Sequence, residues 1–140
     1  MLYVPEKEDY KMYSIEKTNY GIKLTFSGFV KAEEMKQWRE ESEKILNSFS
    51  KPFGVLIDMR DIKPLMADAA AEIQLGQARY KEKGMSRSAV ILATTIVTMQ
   101  FKRIAKESGI DKWETYIDAS STPDWQKNAI DWITTADKAA

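Results

Sequence analysis

The stretch FGVLIDMRDIKPLMADAAAEI, residues 53–73, decides the fold of this chain. Its first five residues carry no charge and do not alternate with polar residues, which is typical of a central strand covered on both faces. A short loop then leads into an alanine-rich segment that favours a helix. A buried strand followed directly by a helix is the repeating unit of α/β domains, so further units of this kind are expected on either side.

Two strands and a helix precede this unit. Residues 10–18 and 20–30 alternate apolar and polar side chains around a turn at 19–21, which predicts a β-hairpin with one solvated face. From residue 31 to residue 49 the apolar side chains recur on one stripe, which predicts an amphipathic helix. A lysine-proline pair at 51–52 is expected to end that helix, because the residue before a proline disfavours helical dihedral angles.

The rest of the chain repeats the strand-and-helix unit. Helices are predicted over 67–84 and 95–109, and strands over 87–95 and 113–121. The last helix is expected to start at the Thr122-Pro123 pair, with threonine as N-cap and proline at the first helical position. The order is β-β-α-β-α-β-α-β-α, which predicts one α/β domain over residues 1–140 with a mixed sheet of about five strands and four helices.

Composition excludes several classes of protein. Lys and Arg together number 21, as do Asp and Glu, so no net field attracts nucleic acid. The chain has no cysteine and no histidine, which removes disulfides, thiolate nucleophiles, Ser-His triads and most zinc sites. The first residues are acidic and aromatic, and no apolar run is long enough to span a bilayer. We therefore expect a cytoplasmic protein that is neither an enzyme nor a carrier of a cofactor.

The element order, together with VLIDMRDI at 55–62 and YIDASSTPDW at 116–125, resembles the SpoIIAA-like branch of the STAS superfamily. This is the domain of anti-sigma-factor antagonists and of transporter cytoplasmic tails, and the resemblance covers about residues 10–133. It implies a SpoIIAA/STAS-like fold and a regulatory role in signalling.

The family pattern places a phosphorylated serine, preceded by an aspartate, at the start of the helix after the central strand. Aligning the strand aspartate on Asp58 puts this pair at about Met66-Ala67, and neither residue can be phosphorylated. Between Asp58 and Arg87 the only Ser or Thr is Ser86. The chain is therefore predicted to be a divergent member without the phosphoserine switch.

Polar residues at the predicted strand ends form a candidate ligand site, because ligands of open α/β sheets bind outside the carboxyl ends of parallel strands. The candidates are Asp58, Arg60, Thr94, Thr95, Asp118 and Ser120. Apolar residues expected to line a pocket around them are Leu65, Met66, Met85 and Met99. Members of this branch are likened to lipid-carrying CRAL-TRIO domains, so the resemblance also implies a small amphipathic ligand.

These polar residues also have simpler interpretations. The aspartates at 58 and 118 suit Mg²⁺, but strand-end aspartates more often cap turns or pair with an arginine such as Arg60. The threonines at 94 and 95 suit an anion at a helix start, but they equally suit the capping of that helix.

A partner-binding surface is the second candidate site. In STAS-like domains the helix after the central strand and its preceding loop face the partner. The corresponding residues are Pro64, Leu65, Met66, Asp68 and Glu72. Small alanines at 69–71 suit either close approach of a partner or core packing. Of the four tryptophans, only Trp113 lies among charged residues and is expected to be exposed.

Two functions remain. The favoured one is a non-catalytic regulatory or interaction module that docks a protein partner or a second copy of itself. The alternative is a carrier or sensor of a small amphipathic ligand held by Arg60, Thr94 and Ser120.

Overall fold

The computed structural model describes residues 12–135. Five strands and four helices alternate in the predicted order. The strands are β1 (Tyr13–Lys17), β2 (Gly21–Gly28), β3 (Phe53–Ile62), β4 (Met85–Leu92) and β5 (Glu114–Asp118). The helices are α1 (Ala32–Leu46), α2 (Ala67–Glu82), α3 (Thr95–Ser108) and α4 (Trp125–Thr134).

The five strands form one mixed sheet in the order β1-β2-β3-β4-β5. The hairpin of β1 and β2 is antiparallel, whereas β2, β3, β4 and β5 run parallel to one another. All four parallel strands therefore end at one side of the sheet, here called the carboxyl edge, and start at the opposite side, the amino edge. The predicted fold class is confirmed.

The sheet is covered unequally on its two faces. The main core combines β-strand residues with α1, α2 and α3, and it includes Phe26, Trp38, Ile73 and Phe101. A smaller cluster on the other face joins β3 and β4 to α4. The uncharged run of β3 is explained by this arrangement, because successive side chains of that strand enter the two clusters in turn.

Helices α1 and α2 approach closely where Gly76 faces Trp38. A Cβ atom at Gly76 would lie 2.3 Å from two carbon atoms of the indole ring. Beside this contact the hydroxyls of Ser42 and Tyr80 form a buried hydrogen bond of 2.6 Å. The two helices therefore pack as one layer.

Several expected boundaries and positions are wrong. Helix α4 starts at Trp125, because the Thr122 carbonyl accepts a turn hydrogen bond from the Trp125 N–H instead of the Thr122 side chain capping a helix. Met85 was expected near the carboxyl edge, but it starts β4 opposite Phe53 and is buried at the amino edge. The first residues of the predicted hairpin, Tyr10 and Lys11, lie outside the described residues.

The alanines at 69–71 differ in burial, because successive residues of a helix point in different directions. Ala69 is fully buried in the core, Ala70 is half-buried and Ala71 faces solvent.

Over residues 12–135, no helix is both long enough and apolar enough to cross a bilayer.

Candidate functional site

The carboxyl edge of the sheet is where most of the predicted site residues meet. Strands β3, β4 and β5 end there, and helices α2, α3 and α4 begin a few residues later. Of the six predicted ligand residues, five lie in the second half of β3, at the end of β5 or in the loops after β4 and β5, and Thr95 is the first residue of α3.

Asp58 and Arg60 bind each other. The guanidinium donates from Nε and Nη2 to the two carboxylate oxygens of Asp58, at 3.0 and 2.9 Å. Its Cζ atom also lies over the Trp125 ring at the start of α4, 4.4 Å from the ring centre. Hydrogen bonds from Arg60 hold the pKa of Asp58 below its usual value, although burial opposes the shift. The pair ties β3 to α4 on the face that α4 covers.

Thr94 and Thr95 begin α3. Thr94 is the N-cap, and its hydroxyl oxygen accepts a long hydrogen bond of 3.4 Å from the Val97 N–H. Thr95 is the first helical residue and is exposed. The capping interpretation therefore describes the contact that Thr94 makes.

Asp118 and Ser120 form a local turn at the end of β5. One carboxylate oxygen of Asp118 accepts from both the N–H and the hydroxyl of Ser120, at 2.9 and 2.5 Å. These hydrogen bonds lower the pKa of Asp118. The strand β4 separates Asp118 from Asp58, and strand alternation directs the two side chains to opposite faces of the sheet. The two carboxylates therefore do not form a shared cation site.

The loop between β3 and α2 is fixed to α3 by one side chain. The amide of Gln100 accepts from the Leu65 N–H at 2.9 Å and donates to the Leu65 carbonyl at 3.0 Å. Leu65 itself is buried, whereas Pro64 and Met66 on either side of it are exposed. The clamp thus holds Met66 beside the first turns of α3.

The remaining predicted contact residues lie at the start of α2. Asp68 is exposed, and its carboxylate accepts from the Ala69 N–H at 2.8 Å. Glu72 is half-buried and pairs with Arg39 of α1 at 2.6 Å. Met66 and Asp68 are thus available to a partner, whereas Glu72 is already occupied between α1 and α2.

The family pattern has its aspartate and serine at Met66 and Ala67, the N-cap and the first residue of α2. Met66 makes no side-chain capping hydrogen bond, and Ala67 has no hydroxyl group. Ser86 lies at the amino edge, where its hydroxyl donates to the Phe53 carbonyl at 3.1 Å. No hydroxyl side chain is therefore found at the start of α2.

Exposed apolar side chains gather at the carboxyl edge. Of the six large apolar residues that are well exposed within the described chain, four lie there: Phe29 after β2, Met66 before α2, and Ile96 and Met99 in the first turns of α3. We call these four residues the apolar rim. Ile96 and Met99 are the most exposed, at 65% and 66%. Four of the polar candidates at this edge are paired, Asp58 with Arg60 and Asp118 with Ser120, and the apolar rim does not bury its side chains in the core.

Sequence reasoning missed part of this surface. Met66 and Met99 were expected to line a pocket, but they face solvent. Ile96 was not singled out, although the inward stripe of α3 (Val97, Phe101 and Ile104) already excludes it and Met99 from the buried face. An apolar residue outside the inward stripe of α3 is the sequence signal that indicates an exposed apolar position.

Glu114 is a second residue that the sequence did not reveal. It is only 6% exposed, and its Oε2 accepts from the Ser88 hydroxyl at 2.6 Å. No described group meets the geometry of a hydrogen bond to its Oε1. Burial raises the pKa of Glu114 to about 7, and the Ser88 and Tyr116 hydroxyls oppose the shift. A carboxyl group in the core therefore titrates near neutral pH.

Trp113 is 38% exposed, as expected, but its ring is covered on one side. The ammonium of Lys81 lies 3.9 Å from the ring centre. This contact fixes the ring against the end of α2.

The fold of this chain is similar to that of a protein whose crystal structure has been solved. The chain is similar to an uncharacterised protein of the DUF3478 family from Shewanella loihica PV-4, which is described as having a SpoIIAA-like fold. The two share 20% sequence identity over 86% of this chain and 91% of the other, with a TM-score of 0.60. No protein-family model and no curated protein matches the chain. The chain therefore has a SpoIIAA-like fold, as the sequence resemblance implied.

Proposed function

We propose that this chain is a non-catalytic interaction module whose apolar rim docks a protein partner. One observation carries the proposal: the loop before α2 and the first turns of α3 present exposed Met66, Ile96 and Met99 on a fixed backbone. Exposed apolar side chains that lie together are typical of protein contact surfaces. The Leu65–Gln100 clamp holds this surface in place, so little order has to be gained on binding.

The polar neighbours support the same function. Arg60 is bound to Asp58 and stacked on Trp125, and Ser120 is bound to Asp118. A ligand that needed these groups would have to displace contacts that already exist. A partner that buries the rim displaces only water, and it leaves the internal pairs intact.

The variant Met66→Asp tests this function. It should weaken partner binding at least about tenfold, because a carboxylate would be buried in an apolar contact without a counter-charge. The fold should be unaffected, since Met66 is 59% exposed and aspartate is a better N-cap than methionine. The measurement is quantitative recovery of interacting proteins by tagged wild-type and variant chains from the native host, with thermal unfolding of both.

The matched control is Gln37→Asp, which makes the same change in charge at an exposed position of α1. A partner should be retained by wild type and by this control and be lost from Met66→Asp. Identical recovery of all proteins by the three chains would refute a contact at the rim.

A further inference from the structure

The outer side of α3 continues the apolar rim with basic residues. Ile96 and Met99, two members of the rim, lie in the first turns of this helix, and Arg103 and Lys106 follow them. Residues three or four positions apart lie on one side of a helix, so these four side chains share one side. All four are exposed. We call them the outer stripe of α3; its first half is apolar and its second half is basic.

The basic half of the outer stripe has no ion-pair partner in the described chain. Helices α1, α2 and α4 each take part in at least one ion pair. Over residues 12–135, no ion pair includes a residue of α3. Glu107, the one acidic residue of this helix, follows Arg103 by four positions, which is the less favourable order for such a pair. The positive charge is therefore available to a partner.

The helix dipole does not account for this charge. Lys106 lies in the last turn of α3 and suits the negative end of the dipole, but the effect fades beyond that turn. Arg103 and Lys102 lie before it. Lys102 is exposed, and its ammonium group lies 5.5 Å from the centre of the Tyr116 ring. The turn at 111–113 adds one charge of each sign, so the positive excess of α3 remains.

We propose that the partner docks through an acidic segment that carries apolar side chains at one end and lies along α3. This inference rests on the proposed function, because it names the class of partner that the apolar rim takes. The apolar side chains of the segment contact Met66, Ile96 and Met99. Its carboxylates face Arg103 and Lys106. The change from apolar to basic along the helix sets the direction of the segment, and the opposite charges speed the encounter.

The surface suits a narrow segment better than an anionic membrane. Asp61, Asp68 and Asp118 are exposed at the carboxyl edge, so an anionic bilayer resting on the rim would meet these carboxylates. The outer stripe runs away from this edge for about 15 Å, at the rise of an α-helix. An extended segment of about five residues spans that length and can follow the stripe alone.

Selection of peptides from a random library displayed on phage tests this class of partner. Three chains serve as bait: the wild type, the double variant Arg103→Glu/Lys106→Glu, and the control Lys36→Glu/Lys44→Glu, which makes the same change in charge at exposed positions of α1. Peptides selected by the wild type and by the control should combine apolar residues with an excess of Asp and Glu. They should bind Arg103→Glu/Lys106→Glu at least about tenfold more weakly, and added salt should weaken their binding to the wild type. Thermal unfolding checks that each variant is folded.

The other outcomes separate the two proposals. Peptides that are apolar without an acidic excess, and that bind both double variants equally, would overturn the acidic segment and leave the contact at the rim intact. Failure of the wild type to enrich any peptide above Met66→Asp would overturn both proposals.

Vesicles of phosphatidylcholine with about 25% phosphatidylserine test the membrane as an alternative. The wild type should stay in solution when the vesicles are sedimented. Sedimentation of the wild type and of Lys36→Glu/Lys44→Glu, but not of Arg103→Glu/Lys106→Glu, would overturn the protein segment in favour of a membrane.

Discussion

The variant Gly21→Ala should destabilise the fold by at least about 4 kcal/mol, whereas Gly109→Ala should cost only about 1 kcal/mol. Both glycines have positive φ, of 145° and 86°. A Cβ atom at Gly109 would meet no atom within 4 Å, so only backbone strain is added. A Cβ atom at Gly21 would lie 2.1 Å from the carbonyl oxygen of Gly54. That atom belongs to the central strand and cannot move aside as a flexible side chain could.

The reason for the close approach is the way in which the hairpin joins the parallel sheet. Gly21 lies directly opposite Gly54, and the Gly54 N–H donates to the Tyr20 carbonyl at 2.9 Å. A side chain at Gly21 would therefore separate β2 from β3. At about 3 °C per kcal/mol for a chain of this length, the thermal midpoint should fall by about 12 °C for Gly21→Ala and by about 3 °C for Gly109→Ala. Equal falls in the thermal midpoint of the two variants would show that the contact with Gly54 adds no destabilisation beyond the backbone strain.

The order of the elements could be predicted because each one carries its own periodic signal. The uncharged run at the start of β3 and the inward stripe of α3 both consist of buried residues. The spacing of apolar residues in the local sequence predicts which residues are buried. Gly109 likewise ends α3 in the left-handed conformation that its sequence predicts. Boundaries were less accurate, and the start of α4 shows why. Thr122 and Pro123 have the chemistry of a helix start, but they form a turn, and Asp124 becomes the N-cap.

The candidate site was predicted less completely than the fold. The location of its residues follows from the topology alone: Asp58 and Arg60 lie in the second half of β3, and Thr94 lies between β4 and α3. The pairs Asp58–Arg60 and Asp118–Ser120 are local in sequence, whereas other contacts at this edge join residues that are distant in sequence. Arg60 meets Trp125 across 65 positions, and Leu65 meets Gln100 across 35. No local pattern contains such contacts.

The burial of Glu114 likewise cannot be predicted from the local sequence. A glutamate beside Trp113 and two other charged residues is expected at the surface, and nothing in its neighbourhood predicts a core position. Strand pairing places it opposite Ser88, whose hydroxyl satisfies one carboxylate oxygen. The side chain also lines an internal cavity of about 30 Å³ with Gln77, Tyr80 and apolar neighbours.

The second large effect is therefore a dependence of stability on pH that comes from Glu114. Its pKa is about 7 in the folded protein and near 4.5 when exposed, so the folded state holds this proton more tightly. The stabilisation is complete below about pH 4.5 and is lost as the pH rises through 7. The shift corresponds to an upper limit of roughly 3 kcal/mol in the free energy of unfolding.

Few other groups can produce this slope. The chain has no histidine, so no other side chain with an ordinary pKa titrates between pH 5 and 8. The lowered pKa values of Glu43, Asp58 and Asp118 act in the opposite direction, because those carboxylates stabilise the fold until the pH falls through their own acidic range. A loss of stability from pH 5.5 to 8.5 therefore reports on Glu114.

Chemical denaturation of Glu114→Gln across this range is the measurement. The amide keeps an oxygen for the Ser88 hydroxyl but cannot ionise, so the variant should have a nearly flat profile and exceed the wild type by about 1–3 kcal/mol at pH 8.5. Ser88→Ala is the matched control: it removes the hydrogen bond that opposes the shift, so its profile should fall at a higher pH than that of the wild type. An unchanged slope in Glu114→Gln would assign the pH dependence to another group.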